Sequence, residues 1–486
     1  MPISDTKPLS NQPPSLPKAE IKLIEWRFNQ FLGEKLNENE ILDEENQSYI
    51  ISDLKMSENG DIIVAGDKGG RIILFQKLER SPKNKPITKL EYYHEFSAYD
   101  KDFDVHKSTE YSEAVRCLSV LPTSNPDKTD ILSCGFRTVR LNRVYNSKQM
   151  AFVNDDYSFR DNKGNSLSSM NISIPKLRSI RYDLKSKTKL DITIYNSNEL
   201  NSLNYNKIFN EQFLTRDDSK VLLWDMNHSH NPYLLINFDE MSHNEIEDYQ
   251  ERITKSLISD KNPHVISYGT NYGNINIFDT RTSSDYVKYS TSFLDEFLNI
   301  TNAGFNLTKT IFSSQVMAVH DLNFSLSDEN LFASRHFLSV NIWDKRNNKA
   351  PLSRLLLYEP VITKLSYLYL NKYLSNDKFS LSVDKSGKYI VTGGYNNMFH
   401  IFDLDQKLNS QITMDSSNEK MMNTNIIRKI SNKGSCYYKK DDPTIKNINF
   451  NKKISKIYYS PVDNFLVIPC ENCLYTYNGN VITKKL

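Results

Sequence analysis

Two pairs of residues have the types and spacing of metal ligands. Cys470 and Cys473 are spaced like half of a zinc site, and His228 and His230 are separated by a single residue. No second cysteine or histidine pair lies near the cysteines, and the two residues between them are typical of a hairpin turn. The histidines follow a strand-like segment and suit a solvated loop. The sequence therefore predicts that the chain binds no metal and no other cofactor.

A glycine-rich segment, Gly66–Gly70, has the composition of a phosphate-binding loop. It lies between two strand-like segments with no helix after it, so its amides cannot form the helix-terminus cradle that binds phosphate. We interpret it as a β-hairpin turn in which glycine takes positive φ. The sequence has no GxSxG, HExxH or P-loop motif. We therefore predict that the chain is not an enzyme, although catalytic residues dispersed along the chain would leave no local motif.

Acidic residues are concentrated at predicted turns. Asp217 and Asp218 end one strand-like segment. Four further carboxylates surround the start of another such segment: Asp102, Asp104, Glu110 and Glu113. If equivalent turns of a repeated unit meet on one surface, these side chains form a negative patch that favours ligands bearing Lys or Arg. The alternative is that each carboxylate caps backbone amides within its own turn.

The turns belong to a unit that repeats along the chain. Each copy has an apolar strand ending in a polar turn, a second strand, a short turn, and a third strand that ends on an aromatic residue, often followed by Asp. Seven copies are predicted near residues 50–76, 114–175, 188–226, 253–280, 317–345, 379–404 and 454–479. The third copy is degenerate, and its first strand is predicted within Leu190–Glu199.

Alternation in the third strands predicts how the copies pack. In Val221–Trp224, successive side chains point to opposite faces, so a neighbouring sheet must cover each face. A ring covers both faces of every sheet, which predicts an all-β, seven-bladed WD-repeat β-propeller over residues 21–486, after a disordered tail at 1–20. Polar insertions, a long hairpin in the second blade and short helices are expected between the blades. One predicted helix, residues 243–252, presents Ile246 and Tyr249 on one side, and covering a blade edge is one interpretation of it.

The composition predicts where the protein acts. Lysine and arginine total 61 against 59 acidic residues, a formal charge of +2, so no global field favours nucleic acid or an anionic membrane as a partner. Five scattered cysteines are typical of reduced intracellular thiols. No stretch approaches the roughly 18 apolar residues of a spanning helix. We expect an intracellular protein, located in the cytoplasm, with the nucleus left open.

Several motifs, in order along the chain, resemble the WD-repeat B-type (PR55) regulatory subunits of protein phosphatase 2A. The matching segments are Ile50–Ser52, Ala65–Arg71, Phe75-Gln76, Phe103-Asp104, Lys107-Ser108, Asp217-Asp218, Leu223-Trp224, Leu338–Val340, Trp343-Asp344, Thr392–Asn397, Phe402-Asp403 and Asn449–Ile454. The resemblance extends over about residues 26–477, essentially the whole chain. The resemblance implies a propeller that docks on a HEAT-repeat scaffold subunit bearing the catalytic subunit and presents phosphoprotein substrates with basic segments to it.

The resemblance also implies roles for particular residues. Substrate contacts are implied for Asp217, Asp218, Lys68, Ile246, Tyr249, Arg252, Phe312 and Tyr369. The second-blade hairpin, Arg143 to Pro175, corresponds to an arm that presses on the scaffold. Apolar side chains on this arm are expected to anchor that interface: Tyr145, Met150, Phe152, Tyr157 and Phe159.

The sequence departs from the family pattern at three positions that bear on substrate preference. Gln47 replaces an acidic residue, Arg252 replaces an apolar one, and Leu370 replaces a glutamate. The alternative to a phosphatase subunit is another WD-repeat scaffold, such as a ubiquitin-ligase receptor or a ribonucleoprotein component.

Overall fold

The strands account for most of the chain that the structure describes. The computed structural model describes residues 20–33, 47–80, 87–105, 109–123, 125, 127–152, 177–194, 198–229, 231–239, 251–282, 286, 290–295, 316–357, 377–405, 407–414, 425–429 and 452–485. In chain order the strands are β1 Glu20–Leu32, β2 Ile51–Met56, β3 Ile62–Asp67, β4 Arg71–Arg80, β5 Ile87–Ser97, β6 Lys101–Asp104, β7 Thr109–Ser112, β8 Cys117–Leu121, β9 Lys128–Cys134, β10 Thr138–Phe152, β11 Leu177–Thr193, β12 Ser202–Tyr205, β13 Gln212–Arg216, β14 Lys220–Asp225, β15 Tyr233–Asn237, β16 Ile253–Ile258, β17 Val265–Thr270, β18 Ile275–Asp279, β19 Thr291–Phe293, β20 Asp321–Asn323, β21 Leu331–Arg335, β22 Ser339–Asp344, β23 Ser353–Leu356, β24 Leu381–Val383, β25 Tyr389–Gly393, β26 Met398–Asp403, β27 Leu408–Thr413, β28 Asn425–Lys429, β29 Tyr458-Tyr459, β30 Phe465–Cys470 and β31 Cys473–Lys485. A short 3-10 helix, Met226–His228, follows β14.

Seven antiparallel sheets are the blades of a propeller, and β6 and β7 form a separate two-stranded sheet. Blade 1 is β2–β5, blade 2 β8–β11, blade 3 β12–β15, blade 4 β16–β19, blade 5 β20–β23 and blade 6 β24–β28, whereas blade 7 has the order β1-β31-β30-β29. The innermost strands contact one another in the order β2, β8, β12, β16, β20, β24, β29 and back to β2. The ring is therefore closed, and the predicted all-β, seven-bladed propeller is confirmed.

The core lies between the blades. Buried apolar residues form seven clusters, and each cluster combines side chains of two neighbouring blades. In β14, Val221 packs toward blade 4 and Trp224 toward blade 2, as the alternation of the third strands predicts. Each blade thus uses both faces for burial, which is the physical reason the sheets form a ring.

A tryptophan hydrogen bond recurs in two blades. The Trp224 indole N–H donates to Thr215 Oγ1 at 2.7 Å, and the Trp343 indole N–H donates to Ser334 Oγ at 2.9 Å. In each case the third-strand tryptophan reaches a second-strand hydroxyl within its own blade, so the buried indole leaves no donor unpaired. This is the same local unit repeated, as the sequence pattern predicts.

Polar bonds also join the innermost strands across blade junctions. A side chain on one innermost strand accepts a hydrogen bond from a backbone N–H of the next blade. The pairs are Asp53 with Leu118 at 2.9 Å, Asn204 with Ile258 at 3.0 Å, Asp321 with Leu381 at 2.8 Å, and Ser382 with Tyr459 at 2.9 Å. Neighbouring blades are therefore fixed in register by directional bonds in addition to apolar packing.

The N-terminal strand β1 completes blade 7, and the repeat pattern did not predict it. β1 pairs with β31 from Glu20↔Lys485 to Leu32↔Leu474. Trp26 is 2% exposed and contacts the Tyr459 ring edge-on, with 5.6 Å between centroids. The predicted tail, residues 1–20, lies outside the described residues except for Glu20.

One predicted strand belongs to a different blade. Leu190–Thr193, predicted as the first strand of the third copy, is the end of β11, the outer strand of blade 2. The first strand of blade 3 is β12 instead. The prediction was wrong because an alternating apolar segment identifies a strand but not the sheet it joins.

The two ends of the ring differ in their turns. We call the end that carries the turns between second and third strands the upper face, and the end that carries the turns between first and second strands the lower face. The turn of Lys68–Gly70 joins β3 to β4 on the upper face, and Gly70 has φ +82°. The hairpin predicted for the glycine-rich segment is therefore confirmed. Among the described residues, none of the helical segments has the length and hydropathy of a membrane span.

Candidate functional site on the upper face

Asp218 and Lys68 lie on the same end of the propeller. Asp218 is in the β13–β14 turn and Lys68 is in the equivalent β3–β4 turn, so both belong to the upper face. Lys68 is exposed, and the Asp218 side chain is 43% exposed. The ring therefore brings together on one surface two residues that are far apart in sequence.

Asp217 and Asp218 are adjacent but differ in their surroundings. The Asp217 carboxylate is buried and accepts hydrogen bonds from the backbone N–H groups of Ser219 at 2.8 Å and Asn198 at 3.1 Å. These bonds hold the turn, so Asp217 fits the interpretation of a turn-capping residue. Of the two aspartates in this turn, Asp218 is therefore the one that faces solvent.

Asp218 lines a small acidic cleft. The cleft has a volume of about 270 Å³, and its walls are Asn198, Asp218, Ser219, Phe238, Asp239, Glu251 and Arg252. Three carboxylates and one guanidinium line these walls, and Asp218 and Asp239 are each also close to a cation behind the walls, Arg216 and Lys220. The exposed oxygens of these carboxylates can pair with a Lys or Arg side chain of a ligand.

Two neighbours fix the Asp218 carboxylate. Asn201 donates from Nδ2 to Oδ1 at 2.9 Å, and the Arg216 guanidinium lies 3.6 Å from the same oxygen. Arg216 is 1% exposed and donates to the Ile253 and Asp217 carbonyls. Burial lowers the pKa of Arg216, and the Asp218 charge opposes that change. Arg216 thus anchors the turn from below and leaves the outer side of Asp218 for a ligand.

Arg252 and Glu251 form the opposite wall of the cleft. Arg252 is exposed, and its backbone N–H donates to Asn271 Oδ1 at 2.9 Å. Glu251 accepts a hydrogen bond from Asn274 Nδ2 at 3.0 Å. The predicted helix that contains Ile246 and Tyr249 lies outside the described residues except for its last two positions, as do Phe312, Tyr369 and Leu370.

Sequence reasoning missed two acidic residues of the cleft, Asp239 and Glu251. Asp239 follows β15 and makes a salt bridge with Lys220 at 3.0 Å. Glu251 directly precedes the strand β16. Neither lies in a motif, and only the junction of blades 3 and 4 brings them next to Asp218. Their acidity was the one available signal, and it is common to many surface residues.

Two of the other predicted acidic residues take different roles. The Glu113 carboxylate accepts hydrogen bonds from the Arg137 backbone N–H at 3.1 Å and the Thr138 hydroxyl at 2.5 Å, so it caps the β9–β10 turn. Asp102 is exposed on the β6–β7 hairpin between blades 1 and 2. Beside it, Phe103 is 59% exposed. The acidic surface is therefore narrower than the sequence pattern indicates.

The second-blade hairpin extends beyond its sheet. β9 pairs with β10 as far as Tyr145↔Lys128, whereas β10 and β11 remain paired to Phe152↔Leu177. Since β10 begins on the upper face at Thr138, this ribbon projects from the lower face. Tyr145 is half-buried at its base, and only the backbone positions of Met150 and Phe152 in β10 are described. Tyr157 and Phe159 lie outside the described residues.

The CxxC segment forms a hairpin turn, as predicted. Cys470 and Cys473 face each other across the β30–β31 turn, and Glu471 within it has φ +57°. Burial raises the pKa of Cys470 to about 12, which keeps its thiol protonated and unreactive near neutral pH. His228 lies 3.5 Å from Asp225 at an exposed position, and His230 falls outside the described residues.

Comparison with known proteins finds structural similarity but no matching family. No family model matches the chain. The chain is similar to the crystal structure of Raptor from Chaetomium thermophilum, with a TM-score of 0.48 and 10% sequence identity. The match covers 95% of this chain and 29% of that protein, so the chain spans less than a third of its length. By its own strand order and ring closure, the chain is a seven-bladed β-propeller with the repeat pattern of WD-repeat proteins.

Proposed function

We propose that this protein is a regulatory subunit of a protein phosphatase 2A heterotrimer, which recruits phosphoprotein substrates to the catalytic subunit. The observation that carries the proposal is the half-exposed Asp218 carboxylate in an acidic cleft on the upper face. The aspartate pair that the sequence shares with the PR55 family supplies this carboxylate. Support also comes from the other shared motifs, which extend along the whole chain in the family's order.

The proposal gives the two ends of the propeller different partners. The β10–β11 ribbon projects from the lower face and contacts the HEAT-repeat scaffold. The Asp218 cleft lies on the upper face and binds substrate. Because these surfaces are at opposite ends of the same rigid ring, one does not block the other, and a substrate and the scaffold are bound at the same time.

The chemistry of the cleft sets the kind of substrate. Asp218, Asp239 and Glu251 favour a basic segment next to the phosphorylated residue. One exposed ion pair contributes only about 0.2–1 kcal/mol, so the three carboxylates act together. Holding the substrate near the active site of another subunit raises its local concentration there, and the propeller itself breaks no bond.

Co-purification tests the proposal. Tagged full-length chain should retain a HEAT-repeat scaffold and a metallophosphatase from a cell lysate. A variant in which residues 147–183 are replaced by Asn-Gly, joining the paired residues Asn146 and Leu184, should lose both. The Asp61→Lys variant, altered at an exposed turn of the lower face in blade 1, is the matched control for surface change.

Three outcomes would contradict this function. The first is capture of ubiquitin-ligase subunits or ribonucleoprotein components in place of a phosphatase. The second is hydrolytic activity of the purified chain alone, which would indicate an enzyme. The third is unchanged scaffold binding after removal of the ribbon, which would leave the lower face without its proposed role.

A further inference from the structure

The central channel of the propeller contains a polar cavity that the proposed function does not use. It has a volume of about 430 Å³ and is lined by residues on or next to the innermost strands of all seven blades. Its lining carries five acidic and five basic residues, and five of these ten act on one another around Lys55: Asp53, Lys55, Lys255, Asp321 and Lys456. We call these five residues the channel cluster. Three ammonium groups and two carboxylates leave the cluster with one excess positive charge.

Two of the lysines are paired with aspartates across blade junctions. Lys456 Nζ lies 3.1 Å from Asp53 Oδ1, and Lys255 Nζ lies 2.9 Å from Asp321 Oδ1. The first pair joins blades 7 and 1, and the second joins blades 4 and 5. The two pairs therefore lie on opposite sides of the channel.

Lys55 is the unpaired cation of the channel cluster. Its Nζ lies 5.2 Å from the centre of the Tyr458 ring, and it makes no salt bridge within the described part of the chain. Burial lowers the pKa of Lys55; the Asp53 and Asp321 charges oppose this decrease, and the Lys255 and Lys456 charges add to it. Asp53 and Asp321 act on Lys55 from beyond salt-bridge distance, so a counter-ion in direct contact with its ammonium group would stabilise the charge further.

Each aspartate keeps other partners if its lysine turns toward a ligand. Asp53 also accepts hydrogen bonds from the Tyr458 hydroxyl at 2.7 Å and the Leu118 backbone N–H at 2.9 Å. Asp321 also accepts from the backbone N–H groups of Leu322 at 3.0 Å and Leu381 at 2.8 Å. Both carboxylates therefore remain satisfied while Lys255 and Lys456 share a bound anion with Lys55.

We propose that the channel cluster binds a small phosphate compound, with Lys55 as its principal ligand and Lys255 and Lys456 as supporting ones. A phosphate group carries two charges near neutral pH and several acceptor oxygens, so a compound with more than one such group can accept hydrogen bonds from ammonium groups on both sides of the channel. Chloride carries a single charge and presents one acceptor atom, so it cannot span two lysines on opposite sides of the channel. Bound in the channel, such a compound links blades 1, 4 and 7 and stabilises the closed ring.

Calorimetric titration of the full-length chain with sodium pyrophosphate tests the site. Ionic strength is held constant with sodium chloride, because screening weakens any charged interaction. We expect saturable binding to the wild type, a loss of about tenfold or more in Lys55→Met, and recovery in Lys55→Arg. The control is Lys349→Met, which removes the same charge from an exposed position and should bind like the wild type. The proposal would be overturned if Lys55→Met and the wild type bound pyrophosphate with equal affinity. It would also be overturned if pyrophosphate gave no more binding heat than sodium chloride at the same ionic strength.

A second measurement uses only the wild-type protein, so it does not depend on how the variants fold. Amine acetylation followed by mass spectrometry should show that pyrophosphate protects Lys55 and leaves Lys349 unaffected, whereas equal protection of the two would refute the site. A phosphoserine peptide serves as a comparison ligand, because it distinguishes a phosphoprotein from a free small phosphate compound as the ligand of the cluster. If it binds more tightly than pyrophosphate to the wild type and loses that affinity in Lys55→Met, the cluster recognises phosphoproteins and the free small compound is the wrong ligand.

Discussion

Asp53 on β2 accepts a hydrogen bond of 2.9 Å from the backbone N–H of Leu118 on β8, and so ties blade 1 to blade 2. The same carboxylate is paired with Lys456 at 3.1 Å and bonded to the Tyr458 hydroxyl at 2.7 Å, both of blade 7. One side chain with 3% exposure thus connects three consecutive blades at the channel wall.

Replacing Asp53 should destabilise the ring strongly. Asp53→Ala leaves Lys456 and the Leu118 N–H without their partner, and breaking a buried pair in this way costs about 3–5 kcal/mol. Urea denaturation followed by tryptophan fluorescence measures the change in unfolding free energy. Asp61→Ala, at an exposed turn, serves as the control. A loss below about 1 kcal/mol would show that Asp53 does not hold the junctions.

The charge of Asp53 should also make stability depend on pH. Burial raises the pKa of this carboxyl, but Lys456, Lys55 and the Tyr458 hydroxyl outweigh burial and lower the pKa to about 2. An unfolded aspartate titrates near 3.9, so the unfolded chain binds the proton first as pH falls. The contribution of the Asp53 charge to the free energy of unfolding is therefore fully present above about pH 4 and is lost as the pH falls from about 4 to 2. The difference in unfolding free energy between the wild type and Asp53→Asn should shrink over that range, and a constant difference would contradict the assignment.

Trp26 should be essential for closing the ring. It is 2% exposed, packs against Tyr459 and lies over Gly479, so Trp26→Ala leaves a cavity at the β1–β31 seam. Removal of a buried tryptophan costs about 3–5 kcal/mol. Thermal unfolding should show a lower Tm for this variant. Tyr233→Ala removes a ring that is 67% exposed and should change Tm little, and comparable losses in the two variants would argue against a closing role.

The turn between β3 and β4 allows a matched comparison of two adjacent glycines. Gly70 has φ +82°, and a Cβ there would lie 2.4 Å from the Glu113 carbonyl oxygen. At Gly69 the nearest atom would be 3.1 Å away and the backbone is not in the left-handed region. Gly70→Ala should therefore lower the free energy of unfolding, measured by urea denaturation, by about 1–3 kcal/mol, and Gly69→Ala should lower it by less. The reverse order would contradict the described turn.

Charge reversal at Asp218 should weaken substrate binding on the upper face without affecting scaffold binding on the lower face. Asp218→Lys removes an attractive charge and adds a repulsive one, which together should weaken capture of a basic phosphopeptide by about tenfold. Scaffold binding should be unchanged because the ribbon leaves from the lower face. Fluorescence anisotropy with the peptide and pull-down of the scaffold measure the two effects. Loss of both, or of neither, would contradict the proposed division, and Asp61→Lys controls for charge change elsewhere.

The ring and its third strands were predictable because they carry a strong local signal. Val221 and Trp224 alternate between two buried faces, and the aromatic at the strand end recurs in most copies. Outer strands give no such signal. In β15, Tyr233 and Leu234 are exposed by 67% and 50%, so the sequence there looks like a polar insertion with scattered apolar residues. The repeat search did not identify β1 because its partner is β31, at the other end of the sequence.

The site was predictable only in part. Family resemblance pointed to Asp218, and the equivalence of the turns placed Lys68 on the same face. Asp239 and Glu251 come from two other segments, and no pattern along the chain relates them to Asp218. The channel cluster was missed for the same reason, since its lysines belong to blades 1, 4 and 7 and meet only after the ring has closed.

The seam between β1 and β31 has a consequence for biosynthesis. Asn29 Nδ2 donates to Thr476 Oγ1 at 3.2 Å across a separation of 447 residues. At roughly 5–20 residues per second, a ribosome makes the second strand about 20–90 s after the first. Throughout that interval Trp26 and Phe28 have no sheet to join, and an unpaired apolar strand is prone to aggregation. Nascent chains should therefore depend on a chaperone that holds β1 until β31 has been made.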